Sequence, residues 1–202
     1  MFDGYVVPVT IPQRKGEPLV VERDEGPRPI SMEELGAARP YFKADGGSIT
    51  GLNASSINDG AAAILLTTEE RAAELGMHPL AELKMFHNVG VAREYMGEGA
   101  FKVIPPLLER ASLTMADVDL FEINEAFAAV LASAFHDLPE LSVDRTNLWG
   151  SGISLGHPVG CTGARQVVDM THQLGRRGCT VGVTTRCVGG GIGSGEVLLK
   201  MG

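Results

Sequence analysis

Three short segments carry the groups that proton transfer and oxyanion binding require. In SLGHPVGCTGAR, residues 154–165, Gly156, Gly160 and Gly163 frame His157 on a loop that runs into a helix. A histidine held by proline and glycines just before a helix start suits a general base or an oxyanion donor, because imidazole titrates near neutrality. In FEINEAFAA, residues 121–129, Asn124 stands where a strand gives way to a helix, a usual place for site residues in α/β folds. In CVGGGIGSG, residues 187–195, Cys187 abuts a glycine run whose backbone can approach a ligand and offer N–H groups to a developing negative charge. Each segment also has a plain structural alternative: a core histidine, a helix cap at Asn124, and a tight hairpin through the glycines.

The elements that must position these groups are legible as patterns. Val6–Ile11 and Leu19–Val21 are strand-like, and DEGPRP, residues 24–29, is a proline-rich turn. Ser31, with Glu34 at the third helical position, signs a capping box for a short helix ending near Arg39-Pro40. From Asp45 the pattern alternates. Ala61–Thr67 reads as a buried strand, Thr68–Leu75 as a helix closed by Gly76, and Ala81–His87 as a strand. Pro105–Ala111 is helical, with its prolines in the first turn. Leu120–Ile123 is a strand, and Glu125–Phe135 a helix with Phe127, Val130, Leu131 and Ala134 on its apolar face. Gly163–Leu174 is a helix with Ala164, Val167, Val168 and Thr171 along one side, and Thr180–Thr185 and Glu196–Lys200 are strands. The fold class this predicts is α/β, a mixed sheet covered by helices.

Composition narrows the partners. The 202 residues, 44% hydrophobic, suffice for about one domain or one and a half. A net charge of −8 argues against nucleic acid and anionic membrane surfaces, whose phosphates it would repel. Cys161, Cys179 and Cys187 are too few for a disulfide framework, and none has metal-ligand spacing with histidine, so no metal site is expected. The opening MFDGYVVPVT lacks a signal-peptide pattern and the apolar runs are too short for a bilayer, so a cytoplasmic location is the expectation.

The order Asn-Glu-Ala-Phe, Gly-His-Pro, Cys-x-Gly-Gly-Gly closely resembles the thiolase family, as do LNASSINDGAAA (residues 52–63) and MGEG (residues 96–99). The resemblance covers nearly the whole chain and is to the C-terminal half of the family. It implies a thiolase-type layered fold, divided as a loop-rich CoA-binding excursion (1–45), the last strand and helix of the N-terminal domain (46–76), and the C-terminal domain (77–202). It implies acyl transfer between CoA thioesters: thiolysis of 3-ketoacyl-CoA, as in β-oxidation, or the reverse Claisen condensation. CoA and acyl-CoA would be substrates, with no permanently bound cofactor.

By the same resemblance His157 activates the nucleophile and, with a water held by Asn124, binds the thioester oxygen of the enolate. Cys187 would move the proton at the α-carbon or the thiol, and the N–H of Gly189 would help build the second oxyanion hole. Arg28 would lie near the CoA nucleotide and Ser55 beside the pantetheine. Ala126 and Phe127 would line the tunnel and Met96 the acyl pocket; ordinary core packing is the alternative for Phe127 and Met96. Cys161 would be a small packing residue and Cys179 structural.

The departures matter as much. The family's nucleophilic cysteine, in a Cys-x-Ser/Gly-Gly setting before a buried helix, has no match here. The expectation is therefore a second chain carrying the N-terminal half with that cysteine, in an α2β2 hetero-oligomer, arising from a thiolase split into two gene products or from a proteolysed chain. Ser56 stands where glycine is commoner, and Trp149-Gly150-Ser151-Gly152 replaces an Asn-Gly-Gly run. A non-catalytic CoA-binding or scaffolding subunit is the alternative. A ketoacyl synthase relative using acyl-carrier protein is weaker, because such a site would not need Cys187.

Overall fold

A computed structural model describes residues 7–24 and 26–202; Val6 of the first strand and Glu25 of the proline-rich turn lie outside the described residues. The sheet at the centre has four strands: β3 (Ala81–Gly90), β4 (Leu120–Ile123), β5 (Val181–Val188) and β6 (Ile192–Lys200). Their order is β3-β6-β5-β4. The β3/β6 and β6/β5 pairs are antiparallel and β5/β4 is parallel, so the sheet is mixed. A separate hairpin joins β1 (Val9–Ile11) to β2 (Leu19–Val21).

Helices cover both faces. On one side lie α3 (Gly99–Lys102), α4 (Ile104–Ala111) and α5 (Ala128–Asp137), which bury Phe101, Ile104, Leu107 and Val130 against Ile123, Val183 and Val197. Close packing of such side chains is the dominant favourable contribution to the fold. On the other side α7 (Thr162–Arg177) sets Met170 and Leu174 on Leu120 and Leu198. The remaining α-helices among the described residues are short: α1 (Met32–Ala37), α2 (Glu69–Glu74) and α6 (Gly152–Leu155). The Ser31–Glu34 capping box starts α1, Thr68 caps α2, and Gly76 follows α2 at φ +65°.

Two expectations are corrected. Ala61–Thr67 forms no strand, and every residue in it is exposed. A strand needs a ladder partner for its backbone, and this run has none among the described residues. The helix expected from Glu125 begins at Ala128, because Phe127 is extended (φ −146°, ψ 150°) and pairs with Ala54 in an isolated bridge. In α7 the expected side Ala164, Val167, Val168 and Thr171 is half-buried, with Val167 packed on the cluster of Leu120, Met170, Leu174 and Leu198. Thr162, Gln166, Met170, Gln173 and Leu174 are its buried residues. The same side lines an open cavity of about 1120 Å³, together with Ile64–Leu66, Ala81 and Leu83.

Candidate active site

Asn124 is the residue immediately after β4. Its N–H donates to the carbonyl of Thr185 at 2.8 Å, which continues the β4/β5 ladder by one position. The side chain is fully buried, and among the described residues neither amide atom has a hydrogen-bond partner. Buried amides are seldom left so, so this one is available to a water or a ligand. Gly152 lies against it: a Cβ there would stand 3.0 Å from Asn124 Oδ1.

His157 follows Gly156, whose φ of +87° and overlap with Asn58 exclude a side chain. The His157 N–H donates to Ser56 O at 3.0 Å, and Ile57 and His157 form a parallel bridge. The ring is fixed from the other side, with Nδ1 2.7 Å from Thr162 Oγ1 in the first turn of α7. Burial, aided by the charge of Arg165, holds the imidazole pKa below its ordinary value. The ring is therefore neutral at pH 7 and able to accept a proton.

Cys187 sits on β5, two residues past the Thr185 carbonyl that holds Asn124, and opposite Gly193 of β6. It is half-buried against the main core, and burial pushes its thiol pKa up. Its resting form is the protonated thiol, a donor before it is an acceptor. The glycine run is a hairpin, with Gly189 in an exposed turn ahead of Gly190 and Gly191 at φ +94° and +95°. Gly193 has a separate reason: a Cβ there would collide with the Gly99 carbonyl at 2.0 Å.

Residues 53–57 bring two of these segments together. The Ala128 N–H donates to Asn53 O at 2.8 Å, the Ser55 N–H to Ala126 O at 3.0 Å, and Ser56 O accepts from His157. Ser55, Ala126 and Phe127 are thus one half-buried neighbourhood, and the Phe127 ring meets Phe42 edge-on at 5.8 Å. Met96 is half-buried in the turn Arg93–Glu98, and the adjoining Gly97 rests on Val130. Arg28 is exposed and is not brought to these residues by any hydrogen bond or ion pair recorded among the described residues. Its neighbour Gly26 nevertheless packs on the Ser154 carbonyl of α6. No group of three His, Cys, Asp or Glu side chains suited to a metal occurs among the described residues.

Residues 77–200 match the family model for the thiolase C-terminal domain, and residues 1–70 match that for the thiolase N-terminal domain. The chain belongs to the thiolase family. It is 47% identical over 201 residues to a probable acetyl-CoA acyltransferase of Staphylococcus epidermidis, covering 99% of this chain and 50% of the relative. It superposes on the acetyl-CoA acetyltransferase of Bacillus anthracis with a TM-score of 0.91 at 43% identity, over 99% of this chain and 50% of that one. For human mitochondrial 3-ketoacyl-CoA thiolase the TM-score is 0.89 at 34% identity, over 96% and 49%. That human enzyme in complex with CoA gives 0.86 at 35%, over 91% and 46%. The chain therefore spans about half the length of the curated relatives it matches.

Several residues around the candidate site do not stand out in the sequence. Thr162 holds the His157 ring, and Asn58 packs under Gly156. Glu122 is fully buried beside Arg165, 3.1 Å away, which also meets Asp169 at 2.6 Å. Thr162, five residues after the histidine and inside the helix start, is the most findable of them, since a first-turn hydroxyl reaches backward. Trp149 is buried under the Arg176 guanidinium, 5.4 Å from the ring centroid.

Proposed function

We propose that this chain is the acid–base half of an acyl-CoA C-acyltransferase, acting in thiolysis of 3-ketoacyl-CoA or the reverse Claisen condensation. The observation that carries the reading is the arrangement of a neutral, ring-anchored His157, a buried and unpartnered Asn124 amide, and a protonated Cys187 on segments tied to one another. His157 takes the proton of a nucleophilic thiol that a second chain supplies. The imidazole N–H so formed, with a water on Asn124, then stabilises the thioester oxygen as charge develops there. Cys187 moves the second proton, and the Gly189 N–H serves the other oxyanion.

CoA enters as substrate, its nucleotide toward Arg28 and its pantetheine beside Ser55. Ala126 and Phe127 line the tunnel and Met96 the acyl pocket. The reading divides the chain into a CoA-binding excursion, residues 1–45, the end of the N-terminal domain, 46–76, and the C-terminal domain, 77–202. The assembly would be α2β2, with a second chain carrying the N-terminal half; the exposed run Ala61–Leu66 and the apolar cavity beside α7 support a covering partner. Apolar surface of this kind favours burial by a partner. The setting is cytoplasmic; no helix among the described residues is long and apolar enough to cross a membrane.

The test is thiolysis of acetoacetyl-CoA and of a longer 3-ketoacyl-CoA by this chain alone and coexpressed with an N-terminal thiolase half. Activity only in the mixture, lost in His157→Ala and Cys187→Ala, is the expected result. Activity of the chain alone rejects the second nucleophile. A stable, CoA-binding but inactive complex rejects the enzyme in favour of a scaffold.

A further inference from the structure

β4 ends at Ile123, and the next residue is Asn124. Beside it the side chain of Asn147 stands in for a neighbouring strand. Its Oδ1 accepts from Ile123 N at 2.8 Å and its Nδ2 donates to Ile123 O at 2.9 Å. The other Nδ2 hydrogen goes to Glu125 Oε1, also at 2.9 Å. One amide thus holds the residue before Asn124 and the residue after it. Asn147 does this from a left-handed backbone, φ +51°, which asparagine tolerates better than most residues. Its own N–H is anchored on Phe121 O at 2.9 Å.

Glu125 completes the arrangement. Its second oxygen, Oε2, accepts from the N–H of Ile153 at 3.3 Å, one of the orphan donors in the first turn of α6. From there α6 runs directly to Gly156 and His157. Between the two anchor points Gly152 lies so close that a Cβ would meet Glu125 O at 2.9 Å and Asn124 Oδ1 at 3.0 Å. Ser151 Oγ adds a bond to Ile123 O at 3.3 Å. The carboxylate of Glu125 therefore grips both ends of the loop that separates the Asn124 strand end from His157. Both of its oxygens are acceptors, so it is not positioned as a proton carrier.

We propose that Glu125 and Asn147 are positioning residues, a clamp that sets the separation of Asn124 from His157. The inference rests on the acyltransferase reading, in which those two groups serve one thioester oxygen. Two donors aimed at one atom tolerate little error, since a displacement of about 1 Å can cost about 100-fold in rate.

The experiment uses the assembled enzyme, with wild-type activity established first. Glu125→Gln and Asn147→Asp are each expected to lower kcat by about 30- to 100-fold, with KM held within about twofold. When the two substitutions are combined, the amide introduced at position 125 can donate to the carboxylate introduced at position 147, restoring one bond with its direction reversed. The kcat of this double variant is expected to exceed that of Asn147→Asp alone by about tenfold. A kcat within about twofold of wild type in Glu125→Gln, or strictly additive losses in the double variant, overturns the clamp. If the wild-type assembly is itself inactive, the acyltransferase reading has failed, and the clamp is judged on the free chain. There, Glu125→Ala is expected to speed hydrogen exchange of the Ile153 amide by about tenfold or more. Unchanged exchange at Ile153 overturns it.

Discussion

Thr162 Oγ1 lies 2.7 Å from Nδ1 of His157 while donating its own hydrogen to Pro158 O at 3.2 Å. A hydroxyl whose hydrogen is so engaged accepts from the ring, which assigns neutral His157 its Nδ1–H tautomer and leaves Nε2 as the basic nitrogen. Thr162→Val keeps the shape and removes the acceptor. It is expected to cost kcat/KM about 10- to 100-fold in the assembled enzyme, whereas Thr162→Ser stays within about threefold. Nitrogen-15 shifts of the His157 ring check the tautomer in the free chain.

The lowered pKa of His157 sets a pH dependence. A base held neutral by burial and by Arg165 stays unprotonated below the 6.5 of an ordinary imidazole. The acid limb of kcat/KM is therefore expected to fall below pH 6.5, and an NMR titration of His157 should share its midpoint. A limb above pH 6.5 would assign the proton to another group.

Cys187 bends the other way. Burial raises its pKa above the ordinary 9.0, so the thiolate is scarce at neutral pH. Alkylation by iodoacetamide, followed by mass spectrometry, should be slower at Cys187 than for a free thiol at pH 8. It should gain rate only as pH passes 9.

Glu122 couples stability to pH. Its carboxyl is fully buried and, despite Arg165, desolvation with the nearby Asp169 charge pushes its pKa from 4.5 up to about 8. The acid is neutral in folded and unfolded chains below pH 4.5. From there the unfolded chain ionises first, so stability is lost as pH rises through about 8. Glu122→Gln removes that dependence. Its unfolding free energy is expected to exceed that of wild type at pH 9, by on the order of a few kcal/mol, with the gap closing toward pH 5. Equal pH slopes in the two proteins would refute the buried acid.

Much of this is legible in the sequence where the signal is local. The Ser31–Glu34 box, Thr68 with Gly76, and the limits of β4 follow from caps, glycine and β-branched runs. His157, Asn124 and Cys187 stand out because glycine, proline and strand–helix junctions surround them. What escapes the sequence is long-range. Asn147 and Glu125 are 22 positions apart, and only the folded sheet end brings them together. The Glu125–Phe135 helix is expected too early because the Ala54–Phe127 bridge, beside the tie of Ser55 to Ala126, keeps Phe127 extended, and no window of neighbouring residues contains that pairing. The apolar side of α7 is apolar as the pattern says. Periodicity does not pick out Thr162, Gln166 and Gln173, the polar residues that α7 buries most deeply beside Met170 and Leu174.

The run Ala61–Thr67 offers the most direct test of incompleteness. Its apolar residues stand in water, with Leu65 and Leu66 76% and 71% exposed, and the cavity beside α7 opens next to them. A chain of this composition would bury such a run in a sheet if strands were offered on either side. In the free chain the amides of residues 61–67 should exchange within the dead time of a hydrogen-exchange measurement, while those of β5 and β6 stay protected. Adding an N-terminal thiolase half should protect them by about 100-fold or more. Leu65→Asp should weaken that assembly without changing the circular dichroism of the free chain, because residue 65 contributes little to its core. Protection already present in the free chain would mean that the run pairs with itself or with a second copy, and a second polypeptide would no longer be needed to cover it.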